Sequence, residues 1–225
     1  MGKDNQPKHR LEKRNIARKT ASRRPIARVL IVCEGEKTEP NYLNAIRESL
    51  RLGTANIKVL NSPLGTDPLN IVDYAEQLFL KGDPHTDLRC KDFDHVFAVF
   101  DRDDHATYHA ALEKCSVLNN KHRSNEGKAV PFKAVVSVPC FELWLLLHFE
   151  DVLAPLHRTV VVERLKKHLH DYTKGQAGHW AGTQALRQGA THRARLLADN
   201  TDGTSDTEPF TRMHELVEFL HQLKS

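Results

Sequence analysis

The feature that most constrains this chain is a pair of short apolar runs that both stop in acid. Arg28-Val29-Leu30-Ile31-Val32-Cys33 breaks off at Glu34-Gly35-Glu36, and His95-Val96-Phe97-Ala98-Val99-Phe100 breaks off at Asp101-Arg102-Asp103-Asp104. Continuous apolar runs of this length read as strands buried on both faces, as in a parallel sheet. Residues 57–60 read as another strand, and 129–138 hold a fourth, centred on 132–136 and broken by Pro139. Helices separate them. Tyr42, Leu43, Ile46 and Leu50 fall at helical spacing, with Thr38 or Glu39 as the expected cap, Pro40 in the first turn and Gly53 as the stop. Asp67-Pro68 opens a second helix that ends near Gly82, and a third runs from the acidic burst to about His122. Strands alternating with helices predict an α/β fold, a parallel sheet of about four strands flanked by helices with right-handed crossovers.

Residues 140–149 are the most apolar stretch and predict a buried helix with Glu142 in its first turn. From residue 151 onward the pattern is helical, over about 158–172, 183–198 and 208–223. The expected organisation is a basic, flexible N-terminal arm (1–26), an α/β domain (27–150) and a helical C-terminal extension packed on that domain (151–225). The net charge of +4 is unevenly spread, because residues 1–28 carry ten Lys and Arg against Asp4 and Glu12. Such an arm suits polyanions, since each cation that meets a phosphate releases counterions. A solvated tail or an organellar transit peptide are the competing readings. No apolar run approaches the ~18 residues of a membrane span, so a soluble, cytoplasmic protein is expected. Cys33, Cys90, Cys115 and Cys140 form no Cys-x-x-Cys pair, and Cys33 and Cys140 read as buried thiols.

Ligand sites in parallel sheets lie beyond the carboxyl ends of the strands. Glu34 and Asp101 directly follow strands, and Glu142 shortly follows another. In an extended strand end, Asp101 and Asp103 point the same way and Arg102 elsewhere. Carboxylates brought together repel unless a cation neutralises them, and hard oxygen ligands favour Mg²⁺ or Mn²⁺. Blander readings stand beside each residue. Asp103 or Asp104 can cap the next helix, Glu34 can be a solvated turn residue, Glu39 a helix cap, and Lys37 a solvated lysine instead of a phosphate ligand. His105 and His109, four apart on the expected third helix, also have a metal-ligand spacing.

Three blocks carry a resemblance: residues 32–40 from Val32 to Pro40, then Phe100-Asp101-Arg102-Asp103, then residues 139–146 from Pro139 to Leu146. In order and spacing they resemble the RloB family, which is similar in turn to the Toprim domains of topoisomerases, primases and OLD-type nucleases. The resemblance spans residues 27–150 and extends weakly to a closing helix around residues 211–217. It implies a Toprim-like sheet with a glutamate after the first strand, matched by Glu34, and an Asp-x-Asp after a later one, matched by Asp101 and Asp103. Glu142 corresponds to a late acidic position of OLD-type nucleases. Glu39 is the nearest match to their second acid in the first loop, one residue beyond the usual spacing. The resemblance also implies an accessory or effector role in bacterial restriction or anti-phage loci, with an ATPase partner encoded nearby.

The expected function is therefore a Mg²⁺- or Mn²⁺-dependent nuclease acting on DNA or RNA. Glu34, Asp101, Asp103 and Glu142 are the expected catalytic residues, and the same four with Glu39 the expected metal ligands. Lys37, Arg18, Arg23, Arg24, Arg193 and Arg195 are the expected contacts to nucleic acid. The alternative is a non-catalytic metal- or nucleic-acid-binding module that regulates a partner ATPase. No Gly-x-x-x-x-Gly-Lys-Ser/Thr loop occurs, which argues against an intrinsic P-loop ATPase.

Overall fold

A computed structural model describes residues 26–54, 56–102, 105–201 and 209–224 of the 225. Arg18, Arg23, Arg24 and Asp103 lie outside the described residues, so their expected roles have no structural counterpart here. The strands are β1 (Val29–Cys33), β2 (Ile57–Asn61), β3 (His95–Asp101), β4 (Phe132–Val138) and β5 (Phe210–Thr211). They form one sheet in the order β2-β1-β3-β4-β5. The first four run parallel, as the alternation of strands and helices predicts, and β5 is an antiparallel edge.

β1 and the interior of β3 are apolar because both sheet faces are covered there, whereas β2 and β4 also carry Lys58, Asn61, Lys133 and Ser137. Val29, Ile31, Cys33, Phe97 and Val99 point to one side, where α1 (Thr38–Ser49), α4 (Glu142–Leu146), α5 (Arg158–His168), α6 (His179–Thr183), α7 (Arg187–Asn200) and α8 (Met213–Gln222) contribute Tyr42, Trp144, Leu165, Trp180, Ala194 and Leu216. Leu30, Val32, Val96, Ala98 and Phe100 point to the other, against Ile71 and Phe79 of α2 (Pro68–Lys81) and Tyr108 and Ala111 of α3 (Tyr108–Leu118). Full burial of such side chains contributes roughly 1.5–3 kcal/mol each, so the two layers fix which residues face which side. Asp67 caps α2 as expected: its Oδ1 accepts from the Leu69 and Asn70 amides at 3.0 and 3.3 Å, and Gly82 ends the helix at φ +70°.

The connections reverse direction at β1. From β1 the chain goes outward through α1 to β2, then returns across β1 through α2 to β3. The crevice between the ends of β1 and β3 is thus a topological switch point, where α/β sheets place their ligands.

Several local expectations need correction. Neither Thr38 nor Glu39 caps α1: Lys37 holds the cap position without a side-chain bond, and Thr38 Oγ1 instead accepts from the Gly175 amide at 2.9 Å. The expected helix over 140–149 is only five residues of α-helix, and its last turn tightens through His148 N–H to Leu145 O and Phe149 N–H to Leu146 O. Burial from every side, not helix length, explains its composition. His105 precedes α3, so it does not share a helix face with His109. The expected helix from 208 begins at Met213, because Phe210 and Thr211 pair with Val138 and Ser137 on the open edge of β4.

Candidate metal centre at the strand ends

β1 delivers Glu34 to the crevice. Its amide continues the ladder to Val99 O at 2.9 Å, and its carboxylate turns back so that Oε2 accepts the Asp101 amide at 2.8 Å. The other oxygen faces His105 Nε2 at 3.9 Å. Asp101 is the last residue of β3, in register with Ser137 of β4. Arg102 points away, as the strand alternation predicts, with its guanidinium 4.9 Å from the centre of the Tyr108 ring. Glu142 opens α4, which is fixed from beneath by the bond from Trp144 Nε1 to the Tyr42 hydroxyl at 2.9 Å.

Glu39 comes from the first turn of α1 and lies directly over Gly35. A Cβ at Gly35 would stand 1.9 Å from Glu39 Oε2, so a larger residue there requires the Glu39 carboxylate to move. That oxygen is buried and has no hydrogen-bond partner.

Glu34, Glu39, Asp101 and Glu142 are 9, 5, 7 and 2 % exposed. Acidic side chains are almost never this buried unless they are compensated. The electrostatics show the consequence. Burial pushes the Asp101 carboxyl well above the usual range, and the charges of Glu39, Glu34 and Glu142 push it further; a hydrogen bond from the Phe141 backbone opposes them. Burial likewise raises Glu39; a hydrogen bond from its own amide opposes this, Glu142 adds to it, and Lys174 opposes it. The four acids therefore share one electrostatic environment.

Among the described residues, no three His, Cys, Asp or Glu side chains stand as a ready-made metal shell. The donor chemistry nevertheless fits a hard cation. All four groups are carboxylates, they repel one another, and the orphaned Glu39 oxygen lacks the positive partner that a cation supplies. Glu34 and Glu142 each accept a hydrogen bond that fixes one oxygen, and a carboxylate keeps further lone pairs for a cation.

The C-terminal half supplies a wall that sequence reasoning missed. The Tyr172 hydroxyl donates to Glu142 Oε1 at 2.7 Å. Gly175, at φ +84°, is held from both sides of its peptide, by Thr38 Oγ1 and by Asn41 Nδ2 to its carbonyl at 3.0 Å. The methylenes of Lys37 lie beside it, with Lys37 itself exposed at the rim. A cavity of about 480 Å³ opens next to Glu142, between α5 and this loop. Arg193 and Arg195 do not line it. Arg193 binds Asp151 Oδ1 at 2.7 Å and the Leu147 carbonyl at 3.0 Å, and Arg195 grips both oxygens of Glu218 at 2.6 and 2.8 Å. A larger cavity, about 650 Å³, follows the β4 edge near Phe97, Arg212 and Phe219 and contains none of the four carboxylates.

Fold and site together define an α/β protein with buried carboxylates gathered at the switch point of a mainly parallel sheet. The model of the RloB-like protein family matches residues 29–220, and the chain belongs to that family. Comparison with curated proteins gave no match. Comparison with solved structures gave none either. Among the described residues, no helix is long and apolar enough to cross a membrane.

Proposed function

We propose that the protein is a divalent-cation-dependent nuclease whose centre is the strand-end carboxylate cluster. The observation that carries this reading is the burial of Glu34, Glu39, Asp101 and Glu142 at one switch point, with one Glu39 oxygen left without a partner. Asp101, Glu34 and Glu142 would hold Mg²⁺ or Mn²⁺, with Glu39 and Asp103 as further ligands. Such a cation, when bound, supplies charge neutralisation at a phosphodiester and a water of lowered pKa.

The remaining work falls to the chain. The Asp101 amide fixes one Glu34 oxygen and leaves the other towards His105, which suits Glu34 to move a proton as general base or acid. Tyr172 fixes the Glu142 carboxylate in the same way. The resemblance to Toprim domains and OLD-type nucleases supports nucleic acid as the substrate. Family membership supports a cytoplasmic accessory or effector role in restriction or anti-phage defence, alongside an ATPase partner. The basic arm, with Arg18, Arg23 and Arg24, would add affinity for the nucleic-acid backbone.

The test is cleavage of supercoiled DNA, single-stranded DNA and tRNA by the full chain with Mg²⁺ or Mn²⁺, with and without an ATPase encoded beside it. The expected result is cutting that EDTA stops and that Asp101→Ala lowers by at least roughly 10²-fold. Cutting that survives both treatments would refute the reading. Binding without cutting under every condition would favour a non-catalytic regulatory module.

A further inference from the structure

The cavity beside Glu142 is walled by two elements that bring cations to it. α5 contributes Arg158 at its first turn and Lys166 two turns later, and the loop after α5 contributes Lys174. The Thr159 and Thr173 side chains line the same space. Two acids face it as well, Glu163 on the α5 surface and Glu142 at the floor, so the lining is mixed in sign with an excess of cations. Glu142 and Tyr172 belong both to this cavity and to the carboxylate cluster. Lys174 is close enough to the cluster to oppose the rise in the Glu39 pKa. The cavity therefore adjoins the centre through Glu142, and an anion seated in it lies beside that edge of the cluster.

From this arrangement we infer that the cavity is a backbone subsite, in which Arg158, Lys166 and Lys174 hold the phosphates of a nucleic-acid strand that continues into the carboxylate centre. The inference takes its substrate class from the nuclease reading and adds the residues that grip the strand. Arginine and lysine with nearby hydroxyls are the donor set that phosphodiesters use. Arg158 and Lys166 stand about two turns apart on α5 and Lys174 on the loop that follows it, so the cations are spread along the cavity, as an extended ligand requires. A strand seated on them keeps its bases outside the cluster, and recognition is of the backbone, not of sequence.

The experiment measures binding of a fluorescent single-stranded oligonucleotide to the full chain in EDTA, over a salt series, for wild type and the Arg158→Gln/Lys166→Gln/Lys174→Gln triple variant. The expected result is a loss of affinity of at least roughly tenfold and a log–log salt slope shallower by about 0.7 for each phosphate that the variant no longer neutralises. Lys128→Gln, at the opposite end of β4, serves as the control for charge alone. An abasic oligonucleotide should compete as well as the parent, whereas inorganic phosphate should compete weakly. Thermal unfolding confirms that the variants fold. Affinity and slope unchanged in the triple variant would overturn the inference, as would equal competition by polyglutamate. Because no metal is present, the outcome is independent of cutting: binding through these residues without cleavage under any condition sinks the nuclease reading alone.

Discussion

Glu34, Asp101 and Glu142 come from residues 27–150 and stand within or just beyond strand ends, where burial and the charges of its neighbours raise the Asp101 carboxyl. Opposite them stand Tyr172, Lys174, Lys166 and Arg158, carried by one helix and one loop of the later chain. The first wall is rigid and deeply buried, built on β1, β3 and the apolar α4. The second is solvent-facing apart from Tyr172, tied to the first through Tyr172–Glu142 and Thr38–Gly175. This division teaches which part fixes geometry and which fixes the ligand. Buried carboxylates on a parallel sheet tolerate little movement, whereas exposed cations can be exchanged without disturbing the core.

The largest effect should come from breaking the rigid wall at its tightest point. In Gly35→Ala the new methyl would displace the Glu39 carboxylate, which it would otherwise meet at 1.9 Å. A displacement of this kind near reacting groups costs on the order of 10²-fold in rate. Cleavage kinetics should show that loss while thermal unfolding shows little change, and a variant of full activity would mean that the Glu39 position is immaterial.

A second test uses the sign of the pKa shifts. Asp101 and Glu39 are raised in the folded chain, so their contribution to stability is present below the ordinary carboxylate range and lost as pH rises through their raised values. His148 runs the other way. Burial holds its ring at about 4, its hydrogen bonds to the Trp144 and Leu145 carbonyls oppose this and Arg193 adds to it, so its contribution is present above 6.5 and lost as pH falls toward 4. Denaturant unfolding without metal should therefore give a stability maximum at mildly acidic pH. Asp101→Asn should flatten the fall on the alkaline side and leave the acid side intact. A wild-type profile still rising at pH 8 would contradict the electrostatic account of the acidic wall.

The smallest effect should come from loosening the tie between the walls. Tyr172→Phe removes the hydroxyl that donates to Glu142 and leaves a buried carboxylate oxygen unsatisfied. The expected cost is about 1–3 kcal/mol of stability, with a reduction in divalent-cation affinity of roughly tenfold. Unchanged values for both would show that the second wall does not position the first.

The acidic wall was legible in the sequence and the basic wall was not, for a physical reason. A strand buried on both faces must be apolar throughout, so the abrupt acids after Cys33 and Phe100 stood out against it, and sheet topology brought them together. Glu142 was legible as the polar residue in an apolar helix. Glu39 was half legible, since its place over Gly35 depends on how α1 enters, and the expected capping role hid it. Nothing local ties Tyr172 or Lys174 to a strand end more than a hundred residues earlier. Their loop reads as a polar stretch broken by Gly175, and its place is set by long-range bonds to Thr38 and Asn41. The same blindness directed attention to Arg193 and Arg195, whose guanidiniums are engaged by Asp151 and Glu218. The strand β5 escaped because two residues carry no periodicity.

The central claim is that the strand-end acids bind a divalent cation, and Mn²⁺ titration followed by electron paramagnetic resonance tests it most directly, with proton release measured in parallel. For the full chain the account predicts saturable binding accompanied by proton release that grows as pH is lowered, because burial and like charge raise the Asp101 and Glu39 carboxyls and a bound cation opposes that rise. Asp101→Asn should lose both signals while retaining its thermal unfolding transition. Absence of binding by the wild type, or binding that Asp101→Asn leaves unchanged, would contradict the account.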